Sequence, residues 1–254
     1  MIRTAIILLF LFASTQIWGD DKPIYVLTKE RTGTSWTLFT TQALTQKPLY
    51  SQDGLHEIEQ RDPLAVDYTL KPICRCHAPK RMPENLGQKE GVLLVTLRDY
   101  HEALFRGPPD QTYTTLSELI HELERYVAII EYFDSFPESR RKIISYEDLV
   151  LDPISEITSL FHFLQQHSLI HDETSLVRFI NKYEEYRTYM INQYNGDWKS
   201  YTKGQHIPNH KKKCTKRVAL QIQYYLQCKH PIIWAKYFSR YRISEHNLLY
   251  FDSK

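Results

Sequence analysis

The chain has 254 residues, of which 42% are hydrophobic and 13% aromatic. This is enough apolar material for one sizeable core, so we expect a single domain. Lysine and arginine together number 32 against 30 aspartate and glutamate residues, which gives a net charge of +2. Nucleic acids and anionic membrane surfaces are bound through extended basic fields, so this balance argues against both as partners. Any anion site must be local.

The first 19 residues have the layout of a signal peptide: a basic residue, an apolar run over residues 5–13 and a possible cleavage site after Gly19. A membrane-spanning helix needs about 20 apolar residues, and this run is shorter. We therefore expect residues 1–19 to be removed, residues 20–254 to form the domain, and the protein to enter the secretory pathway or be secreted. An uncleaved N-terminal anchor, which would make the membrane a partner, is the alternative, as is a buried N-terminal strand.

Four short apolar runs are typical of buried strands, and they lie at residues 24–28, around Ile73 and Cys74, at 91–97 and at 142–144. Helical spacing of apolar residues or a helix-capping pattern marks the segments between and after them, at residues 35–40, 116–133, 154–164, 173–190 and 216–226. Strands that are apolar throughout and alternate with helices indicate a parallel sheet covered on both faces. The expected fold class is α/β. Residues 196–213 lack periodicity and are predicted to form a long functional loop.

The cysteines form a close pair, Cys74 and Cys76, and a distant pair, Cys214 and Cys228. An oxidising compartment would allow a disulfide between Cys214 and Cys228. All four could equally be small buried hydrophobic residues. Cys74, Cys76 and His77 are too close in sequence to form a tetrahedral zinc site by themselves, and we expect no metal.

The segment after the first strand is the strongest candidate for an anion site. Residues 28–36 have the sequence Thr-Lys-Glu-Arg-Thr-Gly-Thr-Ser-Trp and open the first helix, so backbone N–H groups converge there. Gly33 lets the backbone approach a ligand closely. Charge and hydrogen-bond donors come from Arg31, Thr32, Thr34 and Ser35. The Gly-Lys-Ser/Thr sequence of nucleoside triphosphatases is absent, which disfavours a kinase or ATPase. By itself, the segment could also be an ordinary capped turn.

This loop resembles the 5′-phosphosulfate loop of the sulfotransferase family, Pro-Lys-Ser-Gly-Thr-Thr-Trp. Arg31 falls on the family's lysine and Thr32 on its serine, Glu30 replaces the proline, and direct matches occur at Gly33, Thr34 and Trp36. The resemblance implies that the loop binds 3′-phosphoadenosine 5′-phosphosulfate (PAPS) as co-substrate. It further implies that Trp36 stacks on the adenine.

A second match follows in order. Residues 73–79, Ile-Cys-Arg-Cys-His-Ala-Pro, are similar to the family's Ile-Ile-Lys-Thr-His-Leu-Pro, whose histidine removes the proton from the acceptor hydroxyl. The resemblance makes His77 the catalytic base, and an imidazole with a pKa near neutrality suits that role. A lone histidine after a strand would otherwise be more often a surface or core residue.

The remaining matches concern the other end of the cofactor. Arg98 matches the arginine that binds the 3′-phosphate, whereas Arg106 stands where the family has a serine, which could strengthen or block this contact. Tyr146, in the sequence Tyr-Glu-Asp-Leu, is implied to reach the adenine. Residues 196–199, Gly-Asp-Trp-Lys, match a late cofactor loop, but the Arg-Lys-Gly that precedes it in the family is missing.

Taken together, the resemblance implies a three-layer α/β sandwich with a central parallel sheet and a P-loop-like nucleotide site. It implies in-line transfer of a sulfuryl group from PAPS to a hydroxyl of a small molecule, a glycan or a tyrosine, with His77 and Arg31 as catalytic residues. A non-catalytic relative that binds a nucleotide or a sulfated ligand is the first alternative. A nucleoside-kinase-like phosphotransferase is the second, and the lack of a lysine-bearing phosphate loop and of a metal-binding aspartate disfavours it. The sequence determines neither the acceptor nor the oligomeric state.

Overall fold

A parallel sheet organises the chain, which the computed structural model describes over residues 21–30, 32–51, 64–82, 91–105, 115–193 and 215–243. Every strand pair in the sheet is parallel, and the spatial order is β2-β3-β1-β4-β5. The strands are β1 (Ile24–Leu27), β2 (Leu49–Ser51), β3 (Ile73–Cys76), β4 (Val92–Leu97) and β5 (Arg141–Ser145).

Helices connect and cover these strands. They are α1 (Thr34–Thr45), α2 (Tyr100–Phe105), α3 (Leu116–Ser135), α4 (Tyr146–Leu151), α5 (Pro153–Gln166), α6 (Ser175–Asn181), α7 (Tyr183–Gln193) and α8 (Lys216–Lys229). A helical turn over Pro231–Ile233 and a π-helix over Trp234–Phe238 follow α8.

The central strand β1 shows how the layers form. Its four residues are all buried, and successive side chains point to opposite faces of the sheet. Tyr25 and Leu27 join the core beneath α3 and α8, while Ile24 and Val26 join the core beneath α1 and α5. The continuous apolar sequence is therefore required by two covered faces, which confirms the predicted α/β sandwich with a central parallel sheet.

Local capping explains where two of the longer helices begin. Thr115 and Glu118 form a reciprocal capping box at the start of α3. Asp152 caps α5 through the N–H of Ser155, with Pro153 in the first turn. The sequence predicted this second start correctly.

The prediction of one helix over residues 173–190 is wrong in one respect. The structure has two helices there, α6 and α7, which are separated at Lys182. Phe179 and Tyr186, on either side of the break, have ring centroids only 5.2 Å apart. In a continuous helix, seven residues would separate them by about 10.5 Å along the axis. The break therefore allows both rings to enter the same core.

The cysteines are neither paired in the predicted disulfide nor all buried. Cys74 and Cys76 are free thiols whose pKa values burial raises to about 11 and about 12. Cys228 is a free, exposed thiol, which agrees with neither a disulfide nor a buried role, while Cys214 lies outside the described residues. The predicted signal peptide (residues 1–19) and the predicted loop (residues 196–213) also lie outside them. No helix within the described ranges has the length and apolar character needed to cross a bilayer.

Candidate active site

The carboxyl ends of four neighbouring strands bring most of the predicted site residues to one edge of the sheet. The β1–α1 loop follows β1, and β3, β4 and β5 are followed by His77, Arg98 and Tyr146. Ligands of open α/β sheets bind at this edge, because parallel strands all end there. Motifs that are far apart in the sequence therefore lie together at this edge of the sheet.

The β1–α1 loop presents the N-terminus of α1. Gly33 is the N-cap residue in the left-handed conformation, with φ of 96°, and its carbonyl oxygen accepts the N–H groups of Trp36 and Thr37 at 3.1 Å each. The N-cap residue, being a glycine, has no side chain with which to cap this end, and the first turn contains no acidic residue. The positive end of the helix dipole is therefore suited to an anion.

Only glycine fits at position 33. A Cβ atom there would lie 2.1 Å from Cδ2 of Tyr146, and the positive φ angle already disfavours other residues. The Tyr146 ring is 2% exposed and lies directly against the loop. Its contact with Gly33 joins the end of β5 to the end of β1.

Two hydroxyl groups that the sequence offered as ligand donors hold the loop itself together. Thr32 donates its hydroxyl to the Lys29 carbonyl oxygen at 2.7 Å, and Thr34 donates to the Thr28 hydroxyl oxygen at 2.8 Å. Both threonines are buried. Ser35 is half-buried, and Arg31 lies outside the described residues.

An ion-pair network centred on the buried Lys29, which the sequence did not indicate, anchors the loop to α3. Lys29 is 4% exposed, and its Nζ lies 2.6 Å from Glu30 Oε2 and 2.7 Å from Glu122 Oε2. Arg125 completes the network with a 2.8 Å contact to Glu122 and a 3.4 Å contact to Glu30. Burial raises the pKa of Glu30, but the hydrogen bond and charge of Lys29 outweigh it and bring the pKa to about 2. Burial acts against ionisation of Glu122 as well, but Lys29 and Arg125 lower its pKa below the usual value, so both carboxylates are charged at neutral pH.

His77 is bound to the same loop. Its Nδ1 lies 3.0 Å from the Thr28 carbonyl oxygen, and because a carbonyl only accepts, Nδ1 carries the proton. Nε2 is then the basic nitrogen of the neutral ring. Burial lowers the pKa of His77 below its usual value, more than the hydrogen bond to Thr28 and the charge of Glu30 raise it. The imidazole is neutral at pH 7 and able to accept a proton.

A cavity of about 640 Å³ opens beside His77. The turn after His77 forms one wall and α3 contributes His121, Arg125 and Ala128 to the other. Its volume is that of a small-molecule site. Among the described residues, no group of three or more His, Cys, Asp or Glu side chains is arranged to hold a metal ion.

Arg98, the predicted ligand of the 3′-phosphate, is a buried residue and not a surface charge. It is 2% exposed, its Cζ lies 4.1 Å from the centre of the Tyr146 ring, and its Nη2 lies 3.4 Å from Glu102 Oε2. Glu102 is itself 1% exposed. The guanidinium thus faces an internal carboxylate, a counter-charge that the sequence analysis missed although the spacing of four residues indicates it. Arg106 lies outside the described residues.

The backbone around Arg98 is held by residues whose function the sequence did not reveal. The Tyr126 hydroxyl donates to the Arg98 carbonyl oxygen at 3.0 Å and accepts its N–H at 2.8 Å. Glu147 accepts the Asp99 N–H at 3.1 Å and the Tyr241 hydroxyl at 2.8 Å. Glu147, the second residue of the Tyr-Glu-Asp-Leu sequence, therefore holds the end of β4 in place.

Trp36 lies in the core beside α7. Its side chain is 3% exposed, its ring stacks on Phe39 at 5.9 Å and meets the edge of Tyr183 at 6.2 Å. In this arrangement the ring faces are covered by protein. Stacking of Trp36 on adenine stays a prediction.

Comparison with known proteins rests on structure, since no family model and no curated protein sequence matches the chain. The mouse sulfotransferase SULT7A1, solved with PAP, superposes with a TM-score of 0.57 over 88% of this chain and 89% of its own, at 10% identity. Retinol dehydratase with androsterone and the inactive cofactor PAP gives a TM-score of 0.51 at 14% identity over 81% and 80% of the two chains. The complex of retinol dehydratase with retinol and PAP gives a TM-score of 0.52 at 13% identity, over 82% of this chain and 81% of its own. The chain therefore has the sulfotransferase fold.

Proposed function

We propose that this protein is a PAPS-dependent sulfotransferase that transfers a sulfuryl group to an acceptor hydroxyl, with His77 as general base. The observation that supports the proposal most directly is the hydrogen bond from His77 to Thr28, because it ties this histidine to the strand end from which the loop leads into the N-terminus of α1. The fold shared with PAP-bound proteins supports the same choice of co-substrate.

The described residues fit the 5′-phosphosulfate end of PAPS. The N-terminus of α1 offers backbone N–H groups and a positive dipole, and its first turn contains no acidic residue. Ser35 and Arg31 would add a hydroxyl and a charge. Thr32 and Thr34 would keep the loop in shape through the hydrogen bonds that they make within it.

The catalytic work of the chain is positioning and proton transfer. When bound, PAPS supplies the sulfuryl group, whose bond to the 5′-phosphate breaks as a bond to the acceptor oxygen forms. His77 accepts the hydroxyl proton at Nε2, and its hydrogen bond to Thr28 holds the ring in the required tautomer. The positive end of α1 stabilises the negative charge that develops on the departing phosphate oxygen. Such pre-positioning is the main contribution of proteins to related phosphoryl transfers.

The 3′-phosphate and the adenine would be held by Arg98, Arg106, Tyr146 and Trp36. The fit is weaker here, because Arg98 faces Glu102 and is covered by the Tyr146 ring. To bind the 3′-phosphate, the guanidinium of Arg98 would have to contact both Glu102 and the ligand. The 3′ end is therefore the part of the proposal that most needs a direct measurement.

The proposal is tested by calorimetric titration of the full chain with PAP and, in parallel, with adenosine 5′-monophosphate. We expect a dissociation constant in the micromolar range for PAP and weaker binding of the monophosphate. Transfer from radiolabelled PAPS to a panel of hydroxyl acceptors would then be measured for the protein and for His77→Ala. The absence of PAP binding would overturn the proposal.

A non-catalytic relative is the second candidate, and the Arg98–Glu102 pair is the observation that favours it. Such a protein could bind the nucleotide at its 5′ end without discriminating for the 3′-phosphate. Equal affinity for PAP and the monophosphate, together with no transfer to any acceptor, would support this candidate against the enzyme.

We propose in addition that residues 1–19 act as a signal peptide, so that the acceptor is met in the secretory pathway. The charged pair Asp20 and Asp21 after a short apolar run supports this. N-terminal sequencing of protein expressed in a secreting cell should find Asp20 first. Retention of Met1 in a membrane fraction would instead indicate an uncleaved anchor.

A further inference from the structure

The walls of the cavity beside His77 are basic. The described residues that line it include three permanent cations, Lys80, Arg81 and Arg125, against a single carboxylate, Glu30. Its apolar residues are small, namely Ala78, Pro79 and Ala128. Pockets for neutral, apolar ligands are lined mainly by large hydrophobic and aromatic side chains. The described lining here has none of these.

The positive charge is not spread evenly over the two walls. On the α3 wall, Arg125 belongs to the network with Lys29, Glu30 and Glu122, in which two cations face two carboxylates. That network is balanced and contributes no net charge. The opposite wall is formed by the short 3₁₀ turn Pro79–Arg81, which places Lys80 at the cavity.

Lys80 is the best placed of these cations to bind a ligand. It is exposed, and it forms no ion pair with any residue that the structure describes. It follows His77 by three residues, on the turn that leads directly from the base into the cavity wall. His121, which also forms no hydrogen bond or ion pair with a described residue, faces the same cavity from α3. A ligand with its hydroxyl at His77 would thus extend past Lys80, a cation that has no counter-charge among the described residues.

We infer that the acceptor is an anionic hydroxyl compound, in which a carboxylate or sulfate group lies close to the hydroxyl that reacts. The anion would pair with Lys80 and the hydroxyl would donate to Nε2 of His77. A charge-assisted hydrogen bond of this kind is about twice as strong as a neutral one and would also fix the orientation of the acceptor. The inference rests on the proposed function and specifies the substrate class of that same site.

Three phenols of similar shape test the inference: 4-hydroxybenzoate, 4-hydroxybenzenesulfonate and the neutral methyl 4-hydroxybenzoate. The first two separate a carboxylate from a sulfate-like group, and the third removes the charge. Transfer from PAPS gives kcat/KM for each, and competition titration in the presence and absence of PAP gives their binding. The protein is compared with Lys80→Glu and with Lys229→Glu, which reverses an exposed lysine on α8.

We expect the anionic phenols to be preferred over the ester, and the ratio of anionic to neutral kcat/KM to fall about tenfold or more in Lys80→Glu, as loss of one charged hydrogen bond gives. Lys229→Glu should leave this ratio unchanged. Equal or better use of the ester, or a ratio that Lys80→Glu does not alter, would overturn the inference while transfer itself upholds the proposed function.

Binding separates the two remaining cases. If PAP does not bind, the proposed function is overturned, and the inference about its acceptor falls with it even where the anionic phenols bind better than the ester. If PAP binds but none of the phenols binds or reacts, the inference is overturned and the cofactor site remains.

Discussion

The two ends of the candidate site differ in how their charges are satisfied. At the β1–α1 loop, the carboxylates of Glu30 and Glu122 are neutralised by Lys29 and Arg125, and the first turn of α1 contains no acidic residue. At the end of β4 the arrangement is reversed, because the Arg98 guanidinium already faces Glu102. The start of α1 could therefore accept an anion from a ligand, whereas Arg98 at the end of β4 already faces the carboxylate of Glu102.

The difference shows that two kinds of anion site depend on different features of a protein. The loop would bind through backbone N–H groups at the start of α1, where the N-cap residue, Gly33, has no side chain of its own to occupy them. Arg98 would bind through a side chain, whose charge any nearby carboxylate can neutralise. Matching an arginine by sequence therefore says less about a ligand than matching a glycine at a helix N-terminus.

The largest effect is expected at the first end. His77→Ala removes the base, so kcat should fall by about 10²- to 10⁴-fold while the dissociation constant for PAP changes little. Steady-state kinetics with calorimetry measures both quantities. His77→Gln is the matched variant, because its amide can keep a hydrogen bond to Thr28 without serving as a base. Activity of His77→Gln close to that of the unchanged protein would exclude proton transfer by His77.

A substitution at the second end should act on stability. Glu102→Gln leaves the buried Arg98 without its carboxylate, and breaking such a pair lowers the free energy of unfolding by about 3–5 kcal/mol. If Arg98 binds the 3′-phosphate, PAP should restore more stability than adenosine 5′-monophosphate does. Urea unfolding with each ligand measures this.

The control for this variant is Glu184→Gln, which breaks the exposed pair with Arg187 and should leave the stability almost unchanged. Equal restoration of Glu102→Gln by both nucleotides would mean that the Arg98–Glu102 pair is purely structural.

Gly33→Ala tests the shape of the loop. The strained φ angle alone costs about 1–3 kcal/mol, and the new Cβ would displace the Tyr146 ring that lies 2.1 Å away. PAP affinity should fall together with stability. Gly91→Ala, at the opposite edge of the sheet, has a φ of 131° and should lower stability without a specific loss of PAP binding. Parallel losses of PAP binding in both variants would contradict a special role of Gly33.

The smallest effect is a pH dependence. Burial lowers the pKa of His77 below its usual value of 6.5, and the base must be unprotonated to act. We expect kcat/KM to be constant above pH 6.5 and to fall at lower pH, approaching about tenfold per unit. A profile that rises between pH 7 and 9 would indicate a base other than His77.

The sequence predicted the strands β1, β3, β4 and β5, because each contains a short apolar run, and β1 and β4 are buried throughout. It missed β2, where Leu49–Ser51 is too short to show a period. It also predicted a single helix in place of α6 and α7, since the packing of Phe179 against Tyr186 cannot be recognised from the local sequence pattern. His77 and Gly33 were found at the sheet edge where they were expected, while their roles in catalysis and binding remain predictions.

By itself, the sequence determined the features that depend on neighbouring residues: the apolar strands, the capped helix starts and the glycine that opens α1. Only the tertiary structure decided which charges meet, because partners such as Lys29 and Glu122, or Arg98 and Tyr146, are far apart along the chain. The hydrophobic effect is non-directional, so burial can be predicted from the number and spacing of apolar residues in the sequence. The pairing of buried charges depends on distances of a few ångströms, which exist only after folding.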